Sequence, residues 1–422
     1  MIGRINWSAV GSANWSHLQL FRAVVNQPKG GRREAAVAGS VYFRTDSGHS
    51  RTMTSSQRLP ASLTPLEVAL AALLDGVEPV APLELALAEA ADCIAAEMPP
   101  LPAHPPRDIA VVDGYAFSAR DLVGASSYSP LPLPRAPVWV EAGEAIPDGC
   151  DCVLDSDSVE ISGPMPQVLA EAIPGQGVRR AGGDIAAGSL VVEAGRRVLP
   201  RDLLMARAAG LARLNVRRPR LRIVNIPGAS VTAVLIAESA RAAGAEIISF
   251  TAAGRDAGAI GAAQDERTCD LLLIVGGSGV GRTDAAVTAL ASRGEVLAHG
   301  IALQPGRTAA VGRIDKTPVV VLPGAPDQAL AAWWTLALPL LDRLSGRRPR
   351  KTVNLPLARK IASQVGIAEI VLVERKQDMW STLAIGDLSL EAIARAEAWL
   401  VVSGGSEGFA AGSPVDAYLL RE

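Results

Sequence analysis

Apolar residues along this chain alternate between short continuous runs and helical stripes. Leu271–Val275 is a run of five apolar residues with no polar member, the pattern of a strand buried on both faces in a parallel sheet. LRIVNI at 221–226 and EIISF at 246–250 read as sister strands. Between them VTAVLIAESARAAG carries the 3.6-residue period of a helix closed by glycine. The series predicts a βαβ domain over 218–346. Toward its end, Leu330–Leu341 is strongly apolar but carries Pro339, and reads as a packed helix closing the domain.

Ahead of this domain, EVALAALLDG predicts a short helix stopped by Gly76, and LELALAEAADCIAAE a second one. A proline-rich passage over 99–106 is extended by necessity. DIAVVDGYAFSARDL follows, and then a region of short β segments with turns at Gly143, Pro147-Asp148-Gly149 and Gly163-Pro164. GGDIAAGSLVVEAGRRVLP carries hairpin signals, a helix follows over 201–211, and Arg217-Arg218-Pro219-Arg220 reads as a linker. After a second basic stretch at 346–350, residues 349–422 are β-rich and predict a small barrel or sandwich. The first 61 residues lack periodicity and over 28–60 are rich in Ser, Arg, Gly and Thr; they read as a disordered or adventitious extension.

At 422 residues the chain holds more than one domain, on a scale of about 100–200 residues each. Apolar residues make up 49%, enough to fill real cores. A net charge of −2 leaves no basic field for nucleic acid, and 4% aromatic residues offer few platforms for base stacking. Cys93, Cys150, Cys152 and Cys269 are scattered as in a protein of the reducing cytosol, and Cys150-Asp-Cys152 is one residue short of the CxxC spacing. The four histidines do not cluster, which speaks against zinc. No segment reads as membrane-spanning or as a secretory signal, so a cytoplasmic location is expected.

Candidate chemistry gathers at three glycine turns that each follow an apolar run. DLLLIVGGSGVGRTD spans Asp270–Asp284, and PGR (Pro305–Arg307) and LPGAP (Leu322–Pro326) follow it. Gly276, Gly277, Gly279 and Gly281 let backbone approach a ligand closely, and Asp284 opens a predicted helix, AAVTALASRG. Strand, glycine turn and helix N-terminus together are how α/β folds hold phosphates, at the carboxyl ends of the strands. Each turn alone is ordinary; three in one predicted domain point to a site.

PPRDIAVVDGYAFSARDL, AGEAIPDGCDCVL, RRAGGDIAAGSLVVEAGRRVLP, GGSGVG with Asp284, QPGR and LPGAP resemble, in order, the signatures of the MoeA family of molybdopterin molybdenumtransferases; the resemblance covers 62–422. It implies an α/β multidomain fold in an elongated homodimer. Within it, 62–104 and 177–217 would make a discontinuous N-terminal domain, 105–176 a β-rich insertion, 218–346 a central βαβ molybdopterin-binding domain with a parallel-rich sheet, and 349–422 a C-terminal β-barrel. The implied reaction is Mg²⁺-dependent: adenylylated molybdopterin and molybdate react, AMP leaves, and the metal enters the dithiolene. The site would lie between the molybdopterin-binding domain of one subunit and the DGYA region of the other.

Residue by residue, the resemblance places Asp113, Asp256 and Asp284 in catalytic roles, with Asp256 the metal-site acid that is left. Gly276, Gly277, Ser278, Gly279 and Gly281 match the phosphate-cradling loop. Pro305, Gly306 and Arg307 match a PGK turn with arginine for lysine. Pro323, Gly324 and Pro326 match a PGNP turn in which Ala325 replaces asparagine, and Arg179, Arg180 and Asp184 match RR-x-GEDI. Asp113 as a turn residue, Asp284 as a helix cap and Arg179–Asp184 as a surface ion pair are the plain alternatives. The departures are concentrated. Asn225–Ser230 stands where the family carries Thr-Gly-Asp-Glu, Ser230-Val-Thr232 where it carries an Asp-Thr-Asn triplet, and Ala257 where a second acid follows Asp256. Ala142 replaces a threonine, and Gly300 and Gln304 replace two lysines. A Mg²⁺ site held by few carboxylates is weakened severely by such losses. Two readings follow: an insertase, or a non-catalytic relative that binds molybdopterin or the finished cofactor for delivery to a recipient molybdoenzyme.

Overall fold

The computed structural model describes residues 57–163, 165–265 and 269–420. The expected extension over 1–61 lies outside them except for its last five positions. All described residues fall in one compact unit, Thr54–Glu422.

The centre is a six-stranded sheet. In chain order its elements are β1 (Arg220–Asn225), α1 (Ser230–Ala242), β2 (Glu246–Thr251), α2 (Ala257–Ala263), β3 (Leu271–Val275), α3 (Ala286–Arg293), β4 (Glu295–His299), β5 (Ala310–Ile314) and β6 (Thr317–Leu322). The sheet order is β2-β1-β3-β6-β5-β4. β2, β1, β3 and β6 are parallel, whereas β5 and β4 add an antiparallel edge. As the unbroken apolar run requires, all five residues of β3 are fully buried. Two apolar clusters cover the sheet. One packs Ile223, Ile236, Leu273 and Val320 with the C-terminal helix; the other packs Val224, Ile260, Ile274 and Leu290.

That C-terminal helix runs from Pro326 to Ser345 in three parts: α-helical over Pro326–Ala332, π-helical over Trp333–Ala337 and α-helical again over Leu338–Ser345. Pro339 cannot donate to the carbonyl of Thr335, and the widened turn precedes it directly. The helix ends at Gly346, which takes the left-handed conformation at φ 62°.

The expected helix over LELALAEAADCIAAE is not formed. Leu83–Ala86 and Ile94–Ala95 are strands on either side of Arg213–Arg217, with only Leu87–Ala90 helical between them. Tertiary pairing overrides local helix propensity here. The same pairing joins residues 83–95 to 213–217 around a core of Leu87, Cys93, Ile185, Val198 and Leu214. The hairpins read into 182–200 are absent as well: up to the helix that begins at Pro200 the stretch is turns, tied back by isolated bridges at Ile185 and Arg197. The intervening lobe is built from small sheets, including Gly114–Phe117 between Val138–Val140 and Cys152–Leu154.

The tail is a half-barrel rather than a fully laddered barrel. Ala368–Lys376 pairs with Met379–Ile385 and with Ala398–Val402, and the order continues through Pro414–Leu419 to Thr352–Pro356. Backbone pairing back to Met379–Ile385 is an isolated parallel bridge, Leu357 to Trp380, beside which Trp380 Nε1 donates to Val353 O at 3.3 Å. The sheet is lengthened by two borrowed strands: Ile301–Gln304 pairs with Ala368–Glu369, and Thr64–Pro65 with Ile301–Ala302.

Candidate functional site

The order β2-β1-β3 reverses direction at β1, so the crevice between the carboxyl ends of β1 and β3 is a topological switch point, where open α/β sheets take ligands. Asn225-Ile226-Pro227-Gly228 leaves β1 and Gly276–Gly281 leaves β3. Ile226 N–H donates to Val275 O at 3.0 Å, and Gly276 N–H to Leu322 O at 2.9 Å, so the ends of β1, β3 and β6 are stitched together. Gly276 and Gly277 have φ of 98° and 65°. A Cβ on Gly277 would also lie 2.8 Å from Ile226 Cδ1, but it is the left-handed conformation that favours glycine there. Asn225 Oδ1 is buried and has no hydrogen-bond partner among the described residues.

Asp284 holds this loop in shape. Its Oδ2 accepts Gly281 N–H at 2.9 Å and its Oδ1 accepts Arg255 Nη2 at 3.2 Å. Arg255 extends the clasp across the crevice by donating Nη1 to Pro227 O at 2.6 Å. Asp284 is therefore a loop clasp and makes no cap bond to α3, whose N-cap is Ala285. The Arg307 turn comes alongside: Thr308 Oγ1 lies 3.3 Å from Ser278 Oγ, and His299 Nε2 lies 3.0 Å from Ser278 O. Burial holds the His299 imidazole below its ordinary value, partly offset by that carbonyl. Pro305 follows a cis bond, and Arg307 is exposed. The Pro323–Pro326 turn is tied in by Thr232 Oγ1 donating to Gly324 O at 2.6 Å.

One residue of this site carried no sequence signal. Gln57 is 8% exposed. Its Nε2 donates to Gly277 O at 3.1 Å and to Gly279 O at 2.5 Å, while its Oε1 accepts Val287 N–H at 3.1 Å and Thr288 N–H at 3.4 Å. A single oxygen thus collects N–H groups from the first turn of α3, where the helix dipole presents positive charge. Arg255, Thr232 and His299 also join the site, although their types and spacing match no ligand motif.

Other predicted residues are bonded apart from the glycine loop. Asp256 is exposed and caps the short helix α2 through Ala259 N–H at 3.0 Å. Asp113 accepts Ala142 N–H at 2.8 Å on the inserted lobe. Arg179 pairs with Asp184 at 2.9 Å and Arg180 with Asp108 at 2.6 Å, both exposed. Ala181 N–H and Arg180 hold the Asp108 carboxyl below its usual range. Among the described residues, no hydrogen bond or ion pair joins these four groups to the glycine loop. The acids of the site are each engaged in shaping backbone. No group of three or more His, Cys, Asp or Glu side chains is arranged to hold an ion among the described residues.

Residues 64–210 match the family model described as "MoeA N-terminal region (domain I and II)", and 222–343 match "Probable molybdopterin binding domain". A protein named molybdopterin molybdenumtransferase 2 from Mycobacterium tuberculosis is 30% identical over 348 residues, covering 72% of this chain and 80% of its own. One named molybdopterin molybdenumtransferase from Haemophilus influenzae is 27% identical over 303 residues, covering 63% and 74%. Two solved MoeA structures from Pyrococcus horikoshii superpose with TM-scores of 0.64 and 0.63 at 25% and 23% identity. Each covers 85% of this chain and essentially all of the neighbour, at 99% and 100%.

Proposed function

This chain belongs to the MoeA family and has a role in molybdenum-cofactor biosynthesis; from that premise we propose that it is a molybdopterin molybdenumtransferase. Its substrates would be adenylylated molybdopterin and molybdate, and AMP its leaving product. The observation that carries this reading is the glycine loop at the β1–β3 switch point, clasped by Asp284 and facing the N-terminus of α3. A terminal phosphate suits that place: backbone N–H groups of Val287 and Thr288 give it donors without the desolvation cost of a buried lysine. Arg307, on the neighbouring turn, supplies mobile positive charge for the rest of the pyrophosphate. Asn225 Oδ1 is an acceptor suited to an N–H of the pterin.

Among the described residues no hydrogen bond or ion pair joins Asp113, Arg179 or Arg180 to this loop, which supports a homodimer in which the partner subunit completes the site. The chain divides, on this reading, into the discontinuous 62–104 and 177–217 domain, the 105–176 insertion, the 218–346 ligand domain and the 349–422 half-barrel. With its own acids committed to backbone, any magnesium would arrive with the substrate phosphates or share the partner's acids. The test is AMP release from adenylylated molybdopterin by the full chain, with molybdate and Mg²⁺. Release that requires molybdate is expected. Tight binding of the substrate with no release would overturn the transferase reading and leave a carrier.

A further inference from the structure

Gln57 occupies with a neutral amide the place just assigned to phosphate. Its carbonyl oxygen receives the Val287 and Thr288 N–H groups, and its amide nitrogen satisfies the Gly277 and Gly279 carbonyls. Both ends of the amide are matched, donor to acceptor, in a residue that lies ahead of the first matched family position, Thr64. The chain between is fixed as well. Thr64 N–H donates to Gly300 O at 2.8 Å, and Thr64–Pro65 is paired to Ile301–Ala302. Leu59 and Pro60 cross directly over Gly300: a Cβ there would lie 2.9 Å from Pro60 Cδ and 3.2 Å from Leu59 Cδ2. Absence of a side chain at 300 is therefore what lets this segment lie across the site.

We propose that residues 57–60 form an intramolecular strap that occupies the phosphate position of the glycine loop and must leave before a phosphorylated pterin binds. The proposal rests on the ligand reading above. Chemistry favours exchange in the right direction. A phosphate oxygen makes charge-assisted bonds to the same N–H groups, about twice as strong as those of an amide carbonyl. The occupying amide is neutral, the one charge of the strap being the exposed Arg58, and the segment is tethered only a few residues away by the Thr64 strand, so it closes readily and yields to an anion. Its presence lowers apparent affinity by the fraction of molecules in which the site is closed; a site open one-tenth of the time binds about tenfold more weakly.

The experiment compares the full chain with its Gln57→Ala variant, titrating molybdopterin against intrinsic tryptophan fluorescence. In parallel, amide hydrogen exchange is followed at Val287 and Thr288. Ligand-free Gln57→Ala should exchange faster at both amides and bind about tenfold more tightly. Once saturated with ligand, the two proteins should exchange alike. Equal affinities would overturn the strap while leaving the site intact, and weaker binding by the variant would make Gln57 a ligand contact instead. Failure of both proteins to bind molybdopterin would overturn the site assignment itself and the strap with it. A second variant, Pro60→Gly, loosens the crossing without touching the loop and should shift affinity in the same direction as Gln57→Ala.

Discussion

Asp284→Ala isolates the clasp that shapes the candidate site. The side chain makes one bond to Gly281 N–H and one to Arg255, and Arg255 in turn holds Pro227 O on the opposite wall of the crevice. A hydrogen bond to a charged group contributes about 1.5–3 kcal/mol. The ion pair adds little: the Arg255 side chain is 40% exposed, which puts the pair near the surface value of about 0–1 kcal/mol. Gly281 is exposed, so water replaces part of what is lost. The net effect on the closed loop is about 1–2 kcal/mol, a drop of about 5- to 30-fold in affinity for molybdopterin. Isothermal titration of wild type, Asp284→Ala and Asp284→Asn measures it. Asn keeps an acceptor for Gly281 and loses the charge, so it should fall between the other two. Unchanged affinity in Asp284→Ala would refute the clasp. Loss of AMP release in Asp284→Asn at full affinity would show instead that the carboxylate acts in the reaction rather than on the loop.

Gly114→Ala should misfold the inserted lobe, because a Cβ there would lie 2.2 Å from Leu154 O; a loss of about 1–3 kcal/mol would show as a lower unfolding midpoint in urea. Half-buried His299 favours its neutral form, so its contribution is complete above about pH 6.5 and is lost as pH falls from there toward its depressed native value. Stability measured from pH 8 to 5 should fall less steeply in His299→Gln. Trp380→Ala removes the side chain of the residue that bridges to Leu357 and should destabilise the half-barrel by about 3–5 kcal/mol, read as early protease cleavage in the tail. Cys152 and Cys269 are buried with their thiols pushed up to about 11, so neither should react with a disulfide reagent at pH 8 until the protein unfolds.

The central sheet was legible because its signals are local. β3 announces itself by five apolar residues in a row, and its loop by glycines, of which Gly276 and Gly277 take left-handed conformations that other residues rarely adopt. Helix α1 kept its 3.6 period to within two residues of the expected ends. The misses share one cause, which is pairing at a distance. Leu83–Ala86 has helix-forming residues and becomes a strand only because Arg213–Arg217 lies beside it. Ile301–Gln304 leaves the α/β sheet to pair with the tail, a choice its four residues do not encode.

The site divides along the same line. Its glycines were visible because backbone geometry restricts residue type, whereas Arg255 and Gln57 were not, since any polar side chain of the right length can reach across a crevice. Departures from the family pattern gain a physical sense in this light. Gly300 was first notable as a missing lysine; in the structure it is the floor under Leu59 and Pro60. A lysine at 300 and the strap in its observed position exclude each other sterically. On the reading proposed above, loss of a cation at Gly300 and gain of the neutral Gln57 amide at the glycine loop are thus a single change in how that loop is held when no ligand is bound. Replacing Gly300 with lysine should therefore expel the strap and restore a cation together. Its gain in affinity should exceed that of Gln57→Ala and should weaken with added salt, whereas the Gln57→Ala gain should not.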